Sequence, residues 1–232
     1  MLSPASLAAQ GIEAVLFDKD GTLIDSLIPW AAAEKALCAA LVERRLPAER
    51  RGEQVPRMLA DLGIVSGAVD RRGLLATGTS AAIMEALRRA LETAVGSRVD
   101  PEAFSLEAAE ILHRLYPAGG PEVVPMAGAD RLLSALRAEG FTLGLSTSDD
   151  YSRTMAELDR FGWRRHFAFI ACGDTAREPK PSPWSVREFS RVAAVPCSLI
   201  AVVGDTDTDR AMAKAAGAGL FILVTDGFDV LD

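Results

Sequence analysis

Three apolar runs that each stop in small, polar or acidic residues constrain the fold of this 232-residue chain more than any other feature. They lie at 12–17, 141–146 and 199–203, and two further runs follow the same style at 167–172 and 220–224. In the second half, stretches of helical period alternate with them, at 129–139, 151–161, 184–192 and 210–216. Short apolar runs alternating with amphipathic helices predict an α/β fold built on a parallel sheet. In an open parallel sheet, ligands bind beyond the carboxyl ends of the strands. That rule gathers Asp18 with Asp20, Thr147 with Ser148, and Asp205 with Asp209 over one crevice. Lys180, held in the loop Glu178-Pro179-Lys180-Pro181-Ser182-Pro183, reaches the same place.

The first of these strand ends reads Phe17-Asp18-Lys19-Asp20-Gly21-Thr22-Leu23. If the strand geometry persists past Phe17, its two-residue period puts Asp18 and Asp20 on one side and turns Lys19 away from the crevice. Lys19 is therefore expected to be structural or to modulate local charge. Two like charges about 4 Å apart repel by about 4 kcal/mol at an effective dielectric of about 20. A pair this close persists when one acid holds a proton or a cation sits between them. Both arrangements are chemically useful.

From about 30 to 116 the pattern is helical, with predicted helices at 30–45, 53–62, 79–95 and 101–116 and no convincing strand. Thr79 or Ser80 and Asp100 are expected caps. Residues 1–11 read as a flexible lead-in, and Pro117 to Pro121, with Pro125 beyond, as a hinge-like linker. A net charge of −7 argues against nucleic acid or an anionic membrane as partner. The first seventeen residues carry no Lys or Arg, so no secretory leader is expected. Cys38, Cys172 and Cys197 are scattered, lack metal-site spacing and suit a reducing cytoplasm.

Taken singly, each candidate has a plainer reading. Asp205 alone fits a turn or helix cap, Thr147 and Ser148 an ordinary turn and cap, and Lys180 a solvated loop charge. Asp18 and Asp20 alone fit a turn or a calcium loop, although the further acids of an EF-hand loop do not follow. Their occurrence in order, each at a strand end, favours chemistry.

Asp18-Lys19-Asp20-Gly21-Thr22-Leu23-Ile24-Asp25-Ser26 resembles the first motif of the haloacid dehalogenase (HAD) superfamily of phosphohydrolases. Thr147, Lys180 in Lys-Pro-Ser-Pro, and Gly204-Asp205-Thr206-Asp207-Thr208-Asp209 resemble its second, third and fourth motifs. The resemblance implies a Rossmann-like parallel-sheet core over 1–26 and 124–232. It makes 27–123 an inserted helical cap domain of the C1 type found in the phosphoglycolate phosphatase-like subfamily. Lys19 replaces the apolar residue usual between the two acids.

By that resemblance, Asp18 is the nucleophile and Asp20 the general acid and base. The Asp18 side chain, the Asp20 backbone carbonyl and the Asp205 side chain hold Mg2+, an oxygen-only set that suits this ion. Thr147, the Ser148 backbone and Lys180 hold the phosphoryl group, with Asp209 orienting Lys180 or a metal-bound water. The implied reaction is hydrolysis of a small phosphorylated metabolite, phosphoglycolate or a sugar phosphate, by a cytoplasmic monomer or homodimer. Arg71 and Arg72 could meet a second anionic group of the substrate or be solvated surface. A sugar-phosphate mutase of the same superfamily uses the same acids. A receiver-like domain or an inactive binding module is the alternative of another class, although receivers place the phosphoacceptor on a later strand.

Overall fold

The computed structural model describes residues 2–117, 119–225 and 227–228. The chain divides into two compact units, Met1–Asp25 with Val124–Asp232, and Ser26–Val123.

The first unit opens with a short helix, α1 (Pro4–Ala8), where the sequence suggested a flexible lead-in. Its stability is local. Ser3 caps it, accepting from the Ser6 backbone, while Ser6 returns the bond to Ser3, and Pro4 supplies a preset first turn. Strand β1 (Ala14–Phe17) follows, buried at every residue, and then the short β2 (Ile24–Asp25).

The second unit carries α2 (Leu27–Arg45), α3 (Gln54–Asp61), β3 (Ile64–Val65), β4 (Ala68–Val69), α4 (Leu74–Thr77), α5 (Ser80–Val95) and α6 (Pro101–Leu115). Thr79 and Asp100 cap α5 and α6 by accepting from Ala82 N and Ala103 N at 3.2 and 2.9 Å. Leu37, Leu41, Met58, Leu87, Leu91, Phe104 and Ile111 interdigitate as the unit's own core. The β3–β4 hairpin corrects the expectation of an all-helical stretch. Its turn is Ser66-Gly67, both in the left-handed region that two-residue hairpins favour. Two-residue strands are too short to show an alternation in sequence.

The first unit resumes with β5 (Val124–Pro125), α7 (Ala129–Ala138), β6 (Thr142–Ser146), α8 (Tyr151–Arg160), β7 (Phe167–Ala171), α9 (Trp184–Ala193), β8 (Ile200–Gly204), α10 (Asp207–Ala216) and β9 (Leu220–Leu223). β5 pairs antiparallel with β2, so Pro125 lies in a two-residue ribbon rather than a linker. A two-strand ribbon leaves outward N–H positions where proline costs no ladder bond.

Five strands form the main sheet in the order β7-β6-β1-β8-β9, all parallel. β1 is central, which explains its unbroken apolar burial. Leu16, Val186, Phe189, Ile200, Val202 and Met212 pack on one face, each fully buried side chain worth about 1.5–3 kcal/mol. The register sets Phe17 opposite Leu145 on one side and Val203 on the other. Asp18, Thr147 and Asp205, one or two residues further on, thus leave adjacent strands at the same edge. Among the described residues, no helix is long and apolar enough to cross a membrane.

Candidate active site

Asp18 leaves β1 with its amide still bonded to Val203 O at 2.8 Å, so the strand geometry persists one residue past Phe17. Its carboxylate is buried. Lys180 Nζ donates to Asp18 Oδ1 and to Asp209 Oδ1, both at 2.6 Å. The expected meeting of Lys180 with the first strand end therefore occurs. An ammonium has three N–H donors, and carboxylates of the described residues take two of those on Lys180, which leaves one for an incoming anion.

Asp209 is fully occupied. Its second oxygen accepts from Thr206 N at 3.2 Å and from Thr206 Oγ1 at 2.6 Å, completing a capping box at the start of α10. Gly204 is needed for this, because a Cβ there would lie 2.6 Å from the Cβ of Asp209. Ligand oxygens of Asp18, Asp205 and Asp209 all lie within 4.8 Å of one another, a spacing that a cation could bridge. Because both Asp209 oxygens already have donors, Asp209 fits better as the anchor of Lys180 than as a ligand.

Oδ2 of Asp18 and Oδ1 of Asp20, in contrast, are buried and have no hydrogen-bond partner among the described residues. An orphaned carboxylate oxygen beside a second acid is what a hard, oxygen-seeking cation satisfies. Gly21, at φ 80°, lets Asp205 close against the turn after β1; a Cβ there would collide with the Asp205 carboxylate. The donor set fits Mg2+.

The electrostatics follow from burial. Desolvation pushes the Asp18 carboxyl well above its usual range, opposed by Lys180 and reinforced by Asp209 and Asp205. Burial pulls Lys180 down, but the charges of Asp18 and Asp209 outweigh it and hold the ammonium above the usual lysine range.

Thr147 follows β6 and is buried. Its hydroxyl donates to Asp20 Oδ2 at 3.4 Å and accepts from Asp149 N at 3.1 Å. Ser148, next in the chain, is half-buried.

Lys19 agrees with the expectation of a structural or charge-modulating residue and adds one contact. Its side chain is fully buried, as a residue turned off the crevice would be, but its ammonium reaches back to Asp20. Nζ lies 3.1 Å from Asp20 Oδ2 and 2.8 Å from Asp149 Oδ2, and it also donates to Glu157 Oε2. Burial depresses the lysine, and the three acids together overrule that, holding it charged. Asp149 and Glu157 were not singled out from the sequence. A signal exists for Glu157: on α8, the apolar face carries Met155 and Leu158, and Thr154 and Glu157 share its burial. An acid on a helix's buried face needs a cation beside it or a proton.

A profile described as "Hydrolase: haloacid dehalogenase-like hydrolase" matches residues 12–217. The phosphoglycolate phosphatase of Pseudomonas fluorescens (strain Pf-5) is 30% identical over 88% of this chain and 66% of its own length. That of Rhodospirillum rubrum is 33% identical over 91% of this chain and 79% of its own. The chain thus spans about two thirds of the Pseudomonas relative. A crystal structure of a predicted phosphoglycolate phosphatase from Haemophilus somnus 129PT superposes with a TM-score of 0.70 at 18% identity, covering 94% of this chain and 87% of that one. The sheet order, the site at its carboxyl edge and these likenesses agree: the chain belongs to the haloacid dehalogenase-like hydrolases, an enzyme whose relatives are phosphoric monoester hydrolases.

Proposed function

We propose that this enzyme is a Mg2+-dependent phosphatase of small phosphomonoesters, with phosphoglycolate the first candidate substrate and a sugar phosphate the next. The observation that carries the reading is the state of Asp18: one oxygen is fixed by Lys180 at 2.6 Å and the other, Oδ2, has no partner among the described residues. A buried carboxylate so held is an oriented nucleophile.

Asp18 attacks phosphorus in line, the bond from phosphorus to the ester oxygen breaks, and Asp20 gives its proton to the departing oxygen. A water then attacks the aspartyl-phosphate at phosphorus and passes a proton to Asp20, releasing inorganic phosphate and free Asp18. Thr147 Oγ1 turns its single O–H from Asp20 to a phosphoryl oxygen when substrate binds, the Ser148 backbone N–H donates beside it, and the third donor of Lys180 pairs with their charge. Asp209 holds Lys180 in place. The Asp18 side chain, the Asp20 backbone carbonyl and the Asp205 side chain would hold Mg2+, which supplies charge neutralisation between the nucleophile and the phosphate. The unit Ser26–Val123 serves as the cap that sets substrate choice. The setting is the cytoplasm, as monomer or homodimer, with no nucleic-acid or membrane partner.

Hydrolysis of para-nitrophenyl phosphate tests this. Activity should require Mg2+, vanish with EDTA, and fall to background in Asp18→Asn. Full activity in that variant, or indifference to chelator, contradicts the reading; isomerised sugar phosphate without free phosphate would replace hydrolysis by transfer.

A further inference from the structure

Lys19 is a buried ammonium that the phosphatase reading does not use. It donates to Asp149 and Glu157 and forms an ion pair with Asp20 Oδ2 at 3.1 Å, so three carboxylates surround it. Two of these acids come from the β6–α8 segment. The third, Asp20, sits at the mouth of the site with its side chain 32% exposed. The ammonium therefore ties a mouth residue to a rigid, buried anchor. The tie is made through one oxygen only: Asp20 Oδ2 pairs with Lys19 and, at 3.4 Å, accepts from Thr147 Oγ1, while Oδ1 is buried and has no partner among the described residues.

We infer that Lys19 is a positioning residue for Asp20, pinning Oδ2 so that the carboxyl keeps one orientation toward the ester oxygen of the substrate. This rests on the assignment of Asp20 as proton donor in the phosphatase reading. In the first step the O–H bond of the Asp20 carboxyl breaks and an O–H bond forms on the leaving oxygen as the phosphorus–oxygen bond breaks. A carboxyl free to rotate about its side-chain bonds presents that proton in the wrong place most of the time. Groups held by a locked second layer react faster than the same groups left loose. The competing account makes Lys19 a structural ion whose only work is to neutralise Asp149 and Glu157.

Leaving-group dependence separates the two. Phenyl phosphate and 2,4-dinitrophenyl phosphate have similar shapes, but phenoxide needs a proton to depart and dinitrophenoxide does not. Values of kcat/KM report the step up to leaving-group release. In Lys19→Met the value for phenyl phosphate should drop about 10- to 100-fold, against less than about fivefold for the dinitrophenyl ester.

Removing Lys19 leaves Asp149 with Arg153 at 2.7 Å and Asp20 with solvent, but strands Glu157. The double variant Lys19→Met/Glu157→Gln removes that unpaired acid along with the cation, and it should show the same selective loss. Equal losses on both esters, or no loss, overturn the proposal, as does failure of both variants to fold, which would make Lys19 a structural ion. Asp20→Asn must itself lose selectively on phenyl phosphate; if it does not, the assignment of Asp20 falls and the proposal with it. If Asp20→Asn is selective and the Lys19 variants are not, only the positioning role falls.

Discussion

Lys19 and Lys180 are two buried ammonium groups in one unit, one to either side of the pair Asp18 and Asp20, and they end in opposite conditions. Lys180 meets two carboxylates, both at 2.6 Å, and retains a donor. Lys19, fully buried, meets three, donating to Asp149 and Glu157 and pairing by charge with Asp20. A lysine with a spare donor can bind an anion that comes and goes. One buried among three acids can only hold what already surrounds it. In the proposed reading the same side chain thus serves ligand binding in one place and internal order in the other, and the number of acids around it makes the difference.

The strongest way to break this comparison is Lys180→Met. Losing a charged donor at a reacting phosphoryl group costs about 100- to 1000-fold in kcat, and the loss should be alike for phenyl and 2,4-dinitrophenyl phosphate. A loss confined to the poorer leaving group would make Lys180 act as Lys19 is proposed to act, and the distinction would collapse.

A gentler way lies in the two acids that anchor Lys19. Burial opposes charge on both, but Asp149 also has Arg153, and together the two cations hold its carboxyl below the usual range. Burial outweighs Lys19 at Glu157, whose carboxyl is held above it. Asp149→Asn should therefore cost about 3 kcal/mol, the scale for breaking a buried ion pair. Glu157→Gln, whose amide oxygen still accepts from Lys19, should change stability by less than about 1 kcal/mol.

The pH dependence follows from the same two directions. A raised acid stabilises the fold fully below its unfolded value, and that contribution is lost as pH rises through the folded value. Wild type should lose this contribution as pH climbs above the ordinary glutamate range, and Glu157→Gln should not. The depressed Asp149 works the other way, its contribution being lost as pH falls through its folded value. Urea midpoints between acid and neutral pH check both; identical pH slopes for wild type and Glu157→Gln would contradict the account.

The central sheet was largely legible because its inner strands β6, β1 and β8 are buried on both faces and leave unbroken apolar runs, as at Ala14 to Phe17. The residues at strand ends were legible for a related reason: Asp18, Thr147 and Asp205 interrupt those runs abruptly. What sequence could not show were features fixed by few residues or by distant partners. The Ser66-Gly67 hairpin is shorter than any readable alternation. The α1 capping box depends on two serines exchanging bonds. The contacts of Lys19 with Asp149 and Glu157 join positions 130 and 138 residues apart. A two-residue period turned Lys19 away from the crevice, but says nothing of how far a four-carbon chain can reach back.

The central claim, that Asp18 is the group that takes the phosphoryl, is tested most directly by trapping. Enzyme quenched during turnover with borohydride, which reduces an acyl phosphate to the alcohol, should yield homoserine at position 18 in the peptide spanning the first strand end. Conversion at Asp20, Asp205 or Asp209 instead, or no conversion while phosphate is being released, would contradict it.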